Sequence, residues 1–182
     1  MTMQLLDALA RRNEARHPKI LVTGETNIGK TSLLKTLPTE LLSTTLLVDL
    51  EAGDLPVADL ALASVRPRTW VECRDLACVI GGPDPARAQG SPYSQSHYDA
   101  VIADSVLASL QQYSIIFVDS FTDLSRRCRV WAEQQPESFN TYGKRDTRAM
   151  YGVVGRELIA WSQQLQHVRS RTITRRDLGE GH

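Results

Sequence analysis

Residues 24–31 read GETNIGKT, and this stretch decides the fold. It fits the pattern GxxxxGK[ST], with Gly24, Gly29, Lys30 and Thr31 at the fixed positions. Each position has a physical reason. Gly24 and Gly29 let the backbone turn tightly, so that successive N–H groups face an anion. A helix that starts at the loop adds the partial positive charge of its N-terminus. Lys30 reaches the β- and γ-phosphates of a nucleoside triphosphate, and Thr31 offers a hydroxyl to Mg²⁺. Glu25, Thr26, Asn27 and Ile28 bring their amides, and with Ser32 they complete the predicted nucleotide-binding set. The flanks agree. Residues 19–23 (KILVT), after Pro18, read as a short buried strand, and residues 30–37 as a helix ending at Pro38. Strand, glycine loop and helix form the context that a phosphate-binding loop requires.

Working outward, residues 44–50 (TTLLVDL) predict a second strand. Residues 69–80 predict a helix, with Thr69 as N-cap, Glu72 three residues on and Gly81-Gly82 at its end. Residues 81–96 (GGPDPARAQGSPYSQS) concentrate turn formers and predict a long mobile loop. A helix is expected over 97–112 and a third strand over 114–119 (SIIFVD). Two more helices are expected over 121–135 and 146–168. In the last, Met150, Val154, Leu158, Trp161, Leu165 and Val168 repeat at the spacing of a core face. At the N-terminus Met3, Leu6 and Leu9 predict an amphipathic helix within residues 1–17. Strands alternating with helices predict a single α/β domain over residues 1–182, its mostly parallel sheet flanked by helices. Residues 172–182 are expected to be a disordered tail.

Composition narrows the function classes. The formal net charge is zero, so whole-chain charge gives no case for nucleic acid or membrane. From Ser120 onward, however, 11 Lys/Arg stand against 7 Asp/Glu, while the first 119 residues hold 10 against 14. That asymmetry fits either a polyanionic partner or a solvated helix surface. Cys73, Cys78 and Cys128 are not at zinc-ligand spacing and are expected as buried thiols in a reducing, cytoplasmic setting. No apolar run approaches the ~18 residues of a membrane span.

Two acidic segments follow the strands. Asp119 ends the apolar run 115–119 and is the predicted Mg²⁺ ligand, acting through water; with Thr31 it makes up the expected metal site. Glu51 lies just beyond the second strand, where a carboxylate sits near the γ-phosphate and can activate water; Asp49 and Asp54 compete for that role.

Three segments together, GETNIGKT, LLVDLEAG and IIFVDSFTDL, resemble the core of RecA-like ATPases in order and spacing. The compact size and the E-x-G after the second strand are most similar to phage-encoded members, some of them single-strand annealing or recombination proteins. The resemblance implies a P-loop NTPase fold, ATP and Mg²⁺ as ligands, Glu51 as general base beside Lys30, and Asp119 as the Walker B aspartate. It also implies a homo-oligomer and single-stranded DNA as partner. No N-K-x-D-type guanine reader follows Asp119, which agrees with ATP. The chain departs from that family after the last helix, where HVRSRTITRRDLGEGH is basic and poor in apolar residues. A RecA-like core continues with another strand, so the sheet is expected to be incomplete at the C-terminus, with an edge for another subunit to cover.

Within residues 140–148 (NTYGKRDTR), Lys144, Arg145 and Arg148 suit phosphates and Tyr142 suits stacking. The same stretch equally suits an arginine finger or a solvated turn. Arg126, Arg127 and Arg129 are weaker phosphate candidates. Two other functions are carried alongside: a nucleotide-binding assembly module that hydrolyses little, and a small phosphotransferase. The second lacks an arginine-rich lid, since 81–96 holds Arg87 alone.

Overall fold

Thr45–Asp49 form β1, a strand whose five residues are all buried. β1 lies between β2 (Ala63–Val65) and β3 (Ile115–Asp119), parallel to both, in the order β2-β1-β3. Its register sets Leu47 beside Phe117 and Asp49 beside Asp119. The Leu50 amide extends the ladder with a 2.6 Å bond to the Asp119 carbonyl. Two carboxylate-bearing strand ends therefore lie side by side. The computed structural model describes residues 18–25 and 28–166; the expected N-terminal helix, Thr26, Asn27 and the tail lie outside them.

Alternation along β1 divides its side chains between two faces. Leu46 and Val48, with Leu50 just beyond the strand, enter the larger core cluster. That cluster is built from α2 (Trp70–Gly81), α3 (Gln95–Ile102), α5 (Phe121–Ala132) and α6 (Thr147–Gln166). Leu47 faces the other way, against Leu34 and Val57. Those residues come from two short 3₁₀ turns, Thr31–Thr36 and Leu55–Val57. Both faces are covered as expected, but unequally. Two short helices, α1 (Thr39–Leu42) and α4 (Ser105–Ser109), complete the set.

The caps explain the boundaries. Thr69 Oγ accepts the Glu72 N–H at the start of α2, and Gly82, at φ 75°, ends it. At Gly81 an added Cβ would lie 2.2 Å from the Gln164 carbonyl, so this glycine sets how closely α2 and α6 approach. The expected helix over 97–112 is divided, because Asp104 caps a new start by accepting from Val106 and Leu107. The segment between α2 and α3 is anchored by the fully buried Tyr93, whose carbonyl accepts from Asp84 and whose N–H donates to His97 Nδ1. The last helix is found as α6, with Met150, Val154 and Trp161 buried. β2 was not anticipated, since three residues are too few to show a period.

Residues 19–23 were expected as a buried strand, yet they form no strand, and Ile20 and Leu21 are 82% and 81% exposed. β1 and β3 pair directly, leaving no place between them. The remaining ladder positions are on the outer edges of β2, where Ser64 is exposed and Ala63 and Val65 are half-buried, and of β3, where Ile115, Ile116, Phe117 and Val118 are themselves only half-buried. A strand added there would find little cover for its apolar side chains. The helix expected over 30–37 is also corrected: it is a six-residue 3₁₀ turn, Thr31–Thr36. Pro38 stops it before an α-helical ladder can develop.

Candidate functional site

The two fixed glycines of the loop have the local geometry the motif asks for, although neither the preceding strand nor the following α-helix forms. Gly29 has φ 94°, a conformation L side chains rarely adopt, and a Cβ on Gly24 would come within 3.0 Å of Ile28 Cγ2. Ile28 and Glu25 are exposed, Ser32 is half-buried in the first turn after the loop, and Thr26 and Asn27 lie outside the described residues. Lys30 Nζ donates to the carbonyls of Gly24 and Glu25 at 3.1 and 2.8 Å. Its ammonium is thus held over the loop itself.

Thr31 and Asp119 meet, although 88 residues separate them: the Thr31 hydroxyl donates to Asp119 Oδ2. Asp119 is buried and Thr31 half-buried. An alcohol and a carboxylate are hard oxygen donors, the type Mg²⁺ takes, and Mg²⁺ usually keeps several waters and needs few protein ligands. Among the described residues no cluster of three or more His, Cys, Asp or Glu is placed to hold a metal. The donor set therefore fits a Mg²⁺ whose other ligands are phosphate oxygens and water.

Glu51 lies next to this pair. The Ser120 hydroxyl donates to Glu51 Oε1 and is 3.2 Å from Asp123 Oδ2. Arg126 Nη1 donates to the other Asp123 oxygen at 2.9 Å. Burial pushes the Asp123 carboxyl up, but its hydrogen bonds with Arg126 and Ser120 outweigh that and leave it below its ordinary 3.8. The backbone after Glu51 is strained, with Ala52 at φ 57°. The Asp119–Ser120 peptide is cis.

The two competing carboxylates are engaged elsewhere. Arg66 Nε donates to the buried Asp49 at 2.9 Å, and Arg66 Nη2 donates to Asp54. Asp49 Oδ1 also accepts from the Gly53 amide at 3.0 Å. Together these contacts pin the turn that presents Glu51. Arg127 is structural as well, donating to the carbonyls of Leu50 and Pro67 at 2.7 and 3.0 Å. Ser120, Asp123 and Arg66 were not singled out from sequence. Ser120 stood in the IIFVDSFTDL segment next to Asp119, but its bond to Glu51 spans 69 residues.

The residues left without a catalytic role are accounted for. His97 Nε2 bonds Asp75 at 2.9 Å, and His167 lies outside the described residues. Trp70 and Trp161 are buried and donate to Glu157 and the Cys73 carbonyl, each at 2.8 Å. The three cysteines are free and buried, and burial raises each thiol to about 12. Tyr142 is exposed at a turn held by Asn140 Oδ1. No helix among the described residues is long and apolar enough to cross a membrane.

A family model described as "AAA domain" matches residues 16–174, which include the glycine loop and both carboxylate-bearing strand ends. No curated protein and no solved structure matches the chain.

Proposed function

Because this chain belongs to the AAA domain family, we propose that it is a Mg²⁺-dependent ATPase of RecA-like type, serving phage-type DNA recombination, annealing or repair. The observation that carries the reading is the meeting of Thr31 with Asp119, beside Glu51, at the ends of adjacent parallel strands. Ligands of open parallel sheets bind outside such strand ends. In this reading Lys30 leaves the carbonyls of Gly24 and Glu25 and neutralises the β- and γ-phosphates. The loop amides of residues 24–29 cradle them. Thr31 and Asp119 hold Mg²⁺, which, when bound, supplies charge stabilisation to the phosphates. Glu51 turns from Ser120 toward the loop and accepts the proton of the attacking water. That Asp49 and Asp54 are both bound to Arg66 favours Glu51 among the three carboxylates. Single-stranded DNA is the proposed partner, and the half-buried edge strand β3 favours a homo-oligomer.

One specific observation favours a second reading, an ATP-binding module with little turnover. Lys30 is bound to its own loop and Glu51 to Ser120, so neither faces a nucleotide as the molecule stands. Steady-state ATP hydrolysis, with and without single-stranded DNA, separates the two. The ATPase reading expects turnover that DNA raises, that falls about 10²-fold or more in Glu51→Gln, and that Lys30→Ala loses with about tenfold or more weaker ATP binding. ATP binding that Lys30→Ala abolishes, with no turnover under any condition, would sink the ATPase and leave the module.

A further inference from the structure

Between Phe121 and Gln166 the chain carries seven Lys/Arg and five Asp/Glu. In this region an open groove of about 480 Å³ runs between α5 and α6, lined by Ser125, Arg126, Arg129, Val130, Tyr151 and Val154. Arg126 and Arg129 are one helical turn apart on α5, with side chains 70% and 54% exposed. Across the groove Tyr151 is exposed, and Arg148, exposed one turn before it, has no ion pair among the described residues. Gly152 and Gly155 follow on α6. A Cβ at either would meet nothing within 4 Å, so the packing of the helix does not require them, although glycine weakens a helix relative to alanine. They leave the backbone beside Tyr151 open to close approach.

Planar guanidinium groups bind phosphate oxygens in a fork, and an exposed tyrosine ring stacks on a base. We propose that the α5–α6 groove binds a nucleotide phosphate together with its base, and that occupancy is relayed to Glu51 through Arg126, Asp123 and Ser120. The relay is a matter of one proton. The Ser120 hydroxyl has a single hydrogen, placed between Glu51 Oε1 and Asp123 Oδ2. Arg126 now satisfies Asp123 from its other side. A phosphate that draws Arg126 into the groove leaves Asp123 to compete for that hydrogen. Ser120 then turns to Asp123, and Glu51 is released toward the loop. The relay rests on the hydrolytic reading of Glu51, whereas groove binding does not.

The test uses the full chain and fluorescence anisotropy with two probes, a labelled oligothymidylate and labelled AMP. AMP is measured in a Lys30→Ala background to remove the loop's contribution. The double variant Arg129→Ala/Tyr151→Ala changes exposed side chains only, and its circular dichroism and thermal unfolding should match the parent. Its oligothymidylate binding should weaken about tenfold or more, and the slope of log K against log salt should fall by about 1 for the lost phosphate contact. Loss of AMP binding, with no oligothymidylate binding by the parent, keeps the site and makes a free nucleotide its ligand. Equal binding by parent and double variant, or no binding of either probe by the parent, overturns the groove. If Tyr151→Ala then changes the oligomeric size, the face belongs to a second copy of the chain. For the relay, Asp123→Asn should bind the oligonucleotide normally but show turnover that it no longer raises; a retained response overturns the relay. No ATP turnover under any condition removes the relay with the ATPase reading, while the anisotropy still decides the groove.

Discussion

On one face of the sheet Leu46, Val48 and Leu50 pack against helices that bring in Leu76, Leu124, Val153 and Trp161. On the other, Leu47 meets Leu34 and Val57 under two 3₁₀ turns. The first face holds most of the buried apolar area, and with it most of the hydrophobic stabilisation. The second carries the glycine loop, Lys30 and Thr31. The helical core and the glycine loop therefore lie on opposite sides of the sheet. Local opening is drawn from the less packed side of a protein. Among the described residues Lys30 is held by the loop carbonyls alone and is no part of the helical core cluster.

The largest difference is expected between an apolar residue in the helical core and one in the exposed segment before the glycine loop. Leu124→Ala, at a fully buried position, should cost about 2–5 kcal/mol in urea unfolding. Ile20→Ser, at an exposed position, should stay within about 0.5 kcal/mol. A cost of several kcal/mol at Ile20 would mean that residues 19–23 join the sheet, and the asymmetry of the two faces would shrink.

A smaller effect concerns the thiols. Burial raises the pKa of Cys73, Cys78 and Cys128 from 9.0 to about 12, favouring their neutral form in the folded state. Because the folded value is the higher one, this contribution is complete below about pH 9 and is lost as pH rises through about 12. Native protein at pH 8 should therefore react slowly with a thiol-directed disulfide reagent, all three groups becoming reactive together on unfolding. Prompt reaction of any one in the native state would show that the helical face opens as readily as the loop face.

The smallest effect is expected on the thin side. Lys35 pairs with Asp59 at 3.2 Å on the surface, both side chains well exposed. Such pairs contribute little. Lys35→Ala should leave the melting temperature unchanged within error, and a clear drop would mark the loop face as more tightly held than its packing indicates.

The glycine positions of the loop were legible because their constraints are local: Gly29 needs its φ of 94° and Gly24 its missing Cβ. β1, β3, α2 and α6 were legible from apolar periodicity and caps, which depend on neighbours along the chain. The same reasoning misjudged residues 19–23, since an apolar run says that a segment would benefit from burial, not that a covered ladder position awaits it. In sequence Glu51 was preferred to its rivals Asp49 and Asp54 only by its place after the strand and by family resemblance. They became distinct only when Arg66, twelve or more residues on, took two of them and Ser120 took the third. The sequence alone determined the tight glycine turn, the α/β pattern and the two acidic strand ends, because short-range sterics and periodicity act within a few residues. Tertiary structure decided which carboxylate meets which partner, which face is thick and where the arginine-lined groove runs, because hydrogen bonds and packing join residues brought together only by the fold.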